Sequence, residues 1–196
     1  KGDINKLTAK AKKMLNEDSY NHLKVEEVAP EFFSKEADSP PTNLGNIAGF
    51  GKGQPFSVSF RAKLPDREGR FTIAQSIDPE NNDRGWRIYW EDRGFVVELI
   101  ESFPEKVLKR GYTRKAKEGY SGHFAFTYDG SGSSRGISLY LNGVYQANRF
   151  QIEWLDTVTG DFSNENADLI IGGTGTDSEG DAQVSEFTIL DRTLAD

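Results

Sequence analysis

The chain has 196 residues, 36% of them hydrophobic, 12% aromatic and 28% charged, and its 24 basic against 31 acidic side chains leave a formal charge of -7. No run of about 18 apolar residues is present, which argues against a membrane span, and the acidic balance argues against binding nucleic acids or other polymeric acids through their charge. The absence of cysteine excludes a disulfide scaffold, a thiol nucleophile and thiolate metal sites. At this length one domain with a sizeable core is feasible.

The chain opens at Lys1 with no basic-then-apolar leader, the expected look of a mature fragment or excised domain. Residues 3 to 15 carry Ile4, Leu7, Ala11 and Met14 at steps of three and four among Lys6, Lys10, Lys12 and Lys13, which predicts a short amphipathic helix capped by Asp3. Pro30, Pro40, Pro41 and the glycines after Asn43 make the rest, to residue 53, an extended strap or linker.

From Pro55 the period changes to two. Phe56, Val58 and Phe60 alternate with Ser57, Ser59 and Arg61, the pattern of a half-buried strand. Similar runs follow at Phe71–Ile77, Trp86–Trp90, Phe95–Ile100, His123–Tyr128, Ile137–Leu141, Leu169–Ile171 and Val184–Leu190, separated by turn signals. The strongest of these is Asn142-Gly143, a dipeptide that accepts the positive φ angles of a type I′ hairpin turn and puts Leu139 and Leu141 on one face and Tyr140 on the other. Residues 54–196 therefore read as a sandwich or barrel of eight to ten antiparallel strands. Two charge runs stand out, basic from Lys106 to Lys117 and acidic from Glu153 to Asp181, and are taken as solvated loops and strand faces.

Parity along the strands separates core from surface. In the Trp86 strand, Trp86, Ile88 and Trp90 form the apolar face, leaving Arg87, Tyr89 and Glu91 on the other. The same logic turns Ser57, Ser59 and Arg61, Glu98, and Ser138 and Tyr140 away from the core. Aromatic faces under a pyranose ring, flanked by Arg and carboxylate groups for its hydroxyls, are how proteins hold sugars. Arg61, Arg87, Tyr89, Glu91 and Tyr140 are accordingly the candidate ligand-binding residues, with an ordinary wet sheet face as the alternative.

Catalytic patterns are weak. Retaining glycoside hydrolysis needs two carboxyl groups roughly 5 Å apart, which period-two spacing on one strand would deliver. Glu91 and Asp92 are adjacent, Glu98 and Glu101 differ in parity, and Glu186 stands alone in its strand. Gly132-Ser133-Ser134-Arg135-Gly136 matches G-x-S-x-G but joins two strands as a Gly/Ser-rich loop, without the strand-to-helix elbow that motif requires. Phosphate-cradling glycine motifs are absent, and His123, in an apolar strand, reads as a core or sheet-face histidine. Calcium is the plausible ion, with Asp78 and Asp83 in one loop and Asp177 and Asp181 in another as candidate ligands, although neither loop has EF-hand spacing.

The run His123-Phe124-Ala125-Phe126-Thr127-Tyr128-Asp129-Gly130-Ser131, followed by Leu139-Tyr140-Leu141-Asn142-Gly143, resembles the concanavalin A-like, laminin-G-like superfamily. Pro55–Phe60 and Phe187–Leu194 fit the same pattern, so the resemblance covers about residues 50 to 196. Arg84-Gly85-Trp86 is similar to the version embedded in large exported bacterial proteins with cytochrome-c-like segments. One departure stands out: a Trp expected two residues before the His is here Ser121, with Tyr120 beside it.

The resemblance implies an all-β, two-sheet antiparallel jelly-roll β-sandwich, a periplasmic or extracellular location, and possible calcium. It also implies a non-catalytic carbohydrate-binding or adhesion module of a larger protein. The rival role is docking against neighbouring domains of the same chain, and a glycoside hydrolase is third.

Overall fold

A computed structural model of the chain describes residues 41–64, 69–91, 94–113, 120–146, 150–153, 160–172 and 182–194. The helix expected over residues 3–15 and the loop bearing Asp177 and Asp181 lie outside them. The described residues form two antiparallel sheets. The strands are β1 (Thr42–Asn43), β2 (Phe56–Lys63), β3 (Arg70–Asp78), β4 (Arg84–Glu91), β5 (Gly94–Ser102) and β6 (Lys106–Thr113). They continue with β7 (Ser121–Tyr128), β8 (Ile137–Leu141), β9 (Val144–Tyr145), β10 (Phe150–Glu153), β11 (Ile170–Ile171) and β12 (Gln183–Leu190). One sheet runs β1-β11-β3-β4-β5-β6-β10 and the other β12-β2-β7-β8-β9.

Period two does what the sequence promised. Phe56, Val58, Phe60 and Ala62 from β2, Phe124 and Phe126 from β7, and Leu139 and Leu141 from β8 point inward, opposite Trp86, Ile88 and Trp90 from β4 and Phe95, Val97 and Leu99 from β5. Phe60 lies at its centre, stacked on Phe124 at 5.7 Å and Phe187 at 5.9 Å and edge-on to Phe95 at 6.0 Å. Full burial of such rings contributes roughly 2–3 kcal/mol each before entropy is counted, which is what holds the two sheets face to face. The Asn142-Gly143 turn has both residues at positive φ, 51° and 76°, and pairs Leu141 with Val144 as the dipeptide predicts.

Three features of the described residues add to the sequence reading. The sandwich reaches back into the strap: β1 joins the larger sheet, Ala48 and Phe50 are core residues, and Trp86 Nε1 donates to the Ala48 carbonyl at 2.8 Å. The described part of the basic run from Lys106 lies on an interior strand, β6, where Lys109 and Arg110 are largely shielded from solvent, Arg110 donating to the Ser134 carbonyl at 2.9 Å. As expected, Gly132–Gly136 joins β7 and β8 as a loop, with a 3-10 turn at Ser134–Gly136 that buries Ser134, the serine of the G-x-S-x-G match.

The missing tryptophan also has an explanation. Ser121 is exposed, but Tyr120 packs edge-on to Phe124 at 6.2 Å, hydrogen-bonds Asn142 Nδ2 at 3.1 Å, and so ties the start of β7 to the hairpin.

Candidate functional site

Each strand's polar face is where parity puts it, yet the five candidate ligand residues do not share a surface. Arg87, Tyr89 and Glu91 lie on β4, in the seven-stranded sheet; Arg61 and Tyr140 lie on β2 and β8, in the five-stranded one. The sandwich core separates the two groups, which face away from each other.

On the seven-stranded sheet the outward row is a closed ionic cluster. β4 pairs Arg87 with Glu98, and β5 pairs Glu98 with Lys109 of β6, so three strands bring these side chains side by side. Glu98 is 1% exposed and accepts from Arg87 Nε, from the Tyr89 hydroxyl at 2.6 Å, and lies 3.4 Å from Lys109 Nζ. Burial alone would raise its pKa, but the Arg87 charge, the Tyr89 and Arg87 hydrogen bonds and Lys109 outweigh it and hold the carboxyl below its ordinary range. Burial, then the Glu98 charge, pushes the Tyr89 phenol far above its usual value.

Tyr89 cannot receive a sugar in this state. The Arg70 guanidinium sits 4.0 Å over its ring, its hydroxyl is committed to Glu98, and the side chain is fully buried. Val96, Ile100 and Val107 beside it are also at most 1% exposed, although they face away from the core. This outer face is therefore a second shielded layer.

Cross-strand pairing also produces a contact that parity within single strands misses. Glu91, 3.8 Å from Lys109, joins Glu98 around the same ammonium. The pair suits a cation clamp better than glycoside hydrolysis, because Glu98 is held deprotonated and shut away from solvent while an acid catalyst needs a raised pKa.

The outer face of the five-stranded sheet is open. Tyr140 and Tyr145 are cross-strand partners with ring centroids 5.5 Å apart and planes tilted by 41°. Tyr145 is 46% and its neighbour Val144 62% exposed, two of the three exposed large hydrophobic residues among the described residues. Tyr140 pairs across to Ala125, and the next outward residue on β7, His123, pairs with Arg61. Arg61 Nε binds Glu186 at 2.9 Å. Glu186 reaches this position through a bulge, where its φ of 51° and a register shift between Ser185 and Thr188 interrupt β12.

The architecture and the pairing of the His123–Ser131 strand with the Asn-Gly hairpin find their match in the comparison with known families. A family model described as the concanavalin A-like lectin/glucanases superfamily matches residues 37–196. The chain belongs to that superfamily. Solved structures that share the superfamily sandwich include the botulinum neurotoxin serotype D binding domain, at 21% identity and TM-score 0.56, covering 81% of this chain and 39% of that one. The botulinum neurotoxin type G receptor binding domain is similar at 18% identity and TM-score 0.51, covering 82% and 41%. The binding domain of botulinum neurotoxin DC in complex with rat synaptotagmin II follows at 18% and 0.55, covering 73% and 33%. At these identities the likeness is one of fold, and this chain spans well under half of each of those chains. No curated protein shows a significant match.

Calcium, which the superfamily suggests, was tested against the residues present. Asp78 uses Oδ1 to accept from the Glu80 amide at 3.1 Å, and Asp83 lies 3.8 Å from Arg87 Nη1. Among the described residues no three His, Asp or Glu side chains converge as a metal cage requires, so the 78–83 loop does not by itself fit a calcium ion. Among the same residues no helix is long and apolar enough to cross a membrane.

Proposed function

We propose that this superfamily domain is a non-catalytic carbohydrate-binding or adhesion module of a larger exported bacterial protein, working outside the cytoplasm. The ligand lies on the outer face of the five-stranded sheet. Tyr140 and Tyr145 supply the apolar platform, and Arg61, Glu186 and His123 supply donors and acceptors one outward row away. The observation that carries this reading is the tyrosine pair, Tyr145 exposed and Tyr140 half-buried beside it, since aromatics beside polar groups are the recurring means of holding a pyranose. The fold likeness to the botulinum neurotoxin type G receptor binding domain and the serotype D binding domain supports a binding module.

A glycan array with the wild-type domain and a Tyr140→Ala/Tyr145→Ala variant tests it, with 2 mM calcium and with chelator. Binding by the wild type that the double variant loses supports the reading. Unchanged binding by the variant removes the tyrosines from the site, and a blank wild-type array removes the carbohydrate.

A further inference from the structure

The geometry of the open face narrows the ligand, on the assumption that the carbohydrate reading above holds. We propose that the Tyr140–Tyr145 site selects a single, uncharged glycan chain that twists between successive sugars, and rejects both flat packed polysaccharide and polyanionic glycans.

Shape comes first. A planar polysaccharide surface is gripped by aromatic rings lying in one plane, so that every ring meets a sugar face at once. Here the two planes differ by 41° at a centroid separation of 5.5 Å. When one ring lies flat against such a surface the other stands off it. A chain whose successive rings are rotated relative to one another can satisfy both. The pair also sits at the sheet margin, because β9 is an edge strand of only two residues, with Val144 62% exposed beside Tyr145. A chain can turn around that margin, whereas a flat lattice would have to lie across the whole sheet.

Charge comes second. Among the described residues on this face, Arg61 is one outward row from the tyrosines and is held by Glu186 at 2.9 Å. His123 between them stays neutral at pH 7, because burial and then the Arg61 charge lower its pKa. Lys63 is two outward rows further along β2, roughly 13 Å from the tyrosine row at strand spacing. A uronate or sulfate stacked on the tyrosines would meet a neutralised guanidinium and, at longer range, a protein of net charge -7. Sugar hydroxyls fit that environment, since Arg61 and Glu186 can donate to and accept from them without giving up their own pairing.

The test compares wild-type binding to a soluble α-1,4-glucan, to microcrystalline cellulose and to polygalacturonate, at low salt and at 0.15 M salt. The expected result is binding to the α-1,4-glucan about ten-fold tighter than to either alternative and insensitive to salt. Tyr145→Ala should lose it, while Tyr145→Phe, which keeps the ring, should retain it. Thermal unfolding of each variant confirms that the fold survives.

Equal or stronger retention on cellulose, or salt-sensitive binding to polygalacturonate, overturns the proposal while leaving carbohydrate binding intact. A wild-type domain that binds other glycans on the array but not the α-1,4-glucan also overturns it. A blank array overturns the function reading itself, and this inference with it.

Discussion

Glu98→Gln is the sharpest perturbation of the ionic cluster. Gln has nearly the shape of Glu and can still accept from the Tyr89 hydroxyl, so neither a cavity nor a lost contact with that phenol confuses the result. What disappears is the charge that Arg87 and Lys109 share. Their side chains are only 11% and 12% exposed, so both cations would be left largely desolvated, with Glu91 and Asp83 at 3.8 Å as the remaining acidic neighbours. Removing one partner from a buried ion pair costs about 3–5 kcal/mol. For a domain of this size that is a fall in Tm of roughly 6–20 °C.

Urea unfolding followed by tryptophan fluorescence measures this, since Trp86 and Trp90 are buried and report on the core. Arg61→Gln is the control: its pair with Glu186 is partly exposed, and its loss should cost no more than about 1 kcal/mol. A fourfold change, Glu98→Leu with Arg87→Met, Lys109→Met and Tyr89→Phe, should recover most of the stability, because apolar groups of similar volume can replace a buried ion cluster and Phe leaves no hydroxyl without its acceptor. A loss below about 1 kcal/mol for Glu98→Gln would refute the reasoning and mean that water reaches the cluster.

Three further outcomes follow from single residues. Asn164 is buried, donates through Nδ2 to the Ser76 and Arg84 carbonyls and accepts at Oδ1 from the Asn166 and Ala167 amides, so Asn164→Ala should cost about 2–4 kcal/mol in urea unfolding, a cost Asn164→Asp should not relieve. In alkali the unfolded chain loses the Tyr89 proton near pH 10 while the folded chain, whose phenol is pushed upward, keeps it; stability should fall by up to about 1.4 kcal/mol per pH unit from this group, and Tyr89→Phe should make the slope above pH 10 shallower. In mild acid the unfolded chain binds a proton at His123 near pH 6.5 and the folded chain, with that pKa lowered, resists it. Stability should therefore decline as pH falls below 6.5, and His123→Gln should reduce the decline in a urea series between pH 7 and 5.

The core was legible because period two is a local property: in β2 and β8 apolar and polar side chains alternate, in β4 and β7 the large apolar residues Trp86, Ile88, Trp90, Phe124 and Phe126 keep that period, and each strand turns the face it announces to the core. Sheet membership is not local. Nothing in the residues around Arg61 and Arg87 says that one strand joins the five-stranded and the other the seven-stranded sheet, so five side chains read as one surface were divided between two. β6 was hidden for a different reason. Its Lys106, Lys109 and Arg110 look like solvent-facing charges until Glu98 and Glu101 on the neighbouring strand are placed beside Lys109 and Lys106. Bulges account for the rest. The one in β12 carries Val184 and Phe187, an even and an odd position, to the same core and sends Glu186 toward Arg61. Tyr145 could have been found: in a two-residue hairpin closed by Leu141 and Val144, it is the cross-strand partner of Tyr140.

Charge is balanced where the strands are. Arg61 meets Glu186, Arg87 and Lys109 meet Glu98 and Glu91, and Lys106 meets Glu101 at 2.7 Å. The ion pairs on the sheets thus contribute little to the net charge of -7, and neither outer face presents these cations as an unsatisfied patch. A ligand of the open face is then chosen by ring geometry and hydroxyl pairing instead of by long-range attraction, which makes slow, salt-independent association the natural behaviour. The shielded face has its charges paired before any partner arrives. Tyr89, Val96, Ile100 and Val107 on that face are already buried within the chain, so little apolar area remains there for a partner to cover.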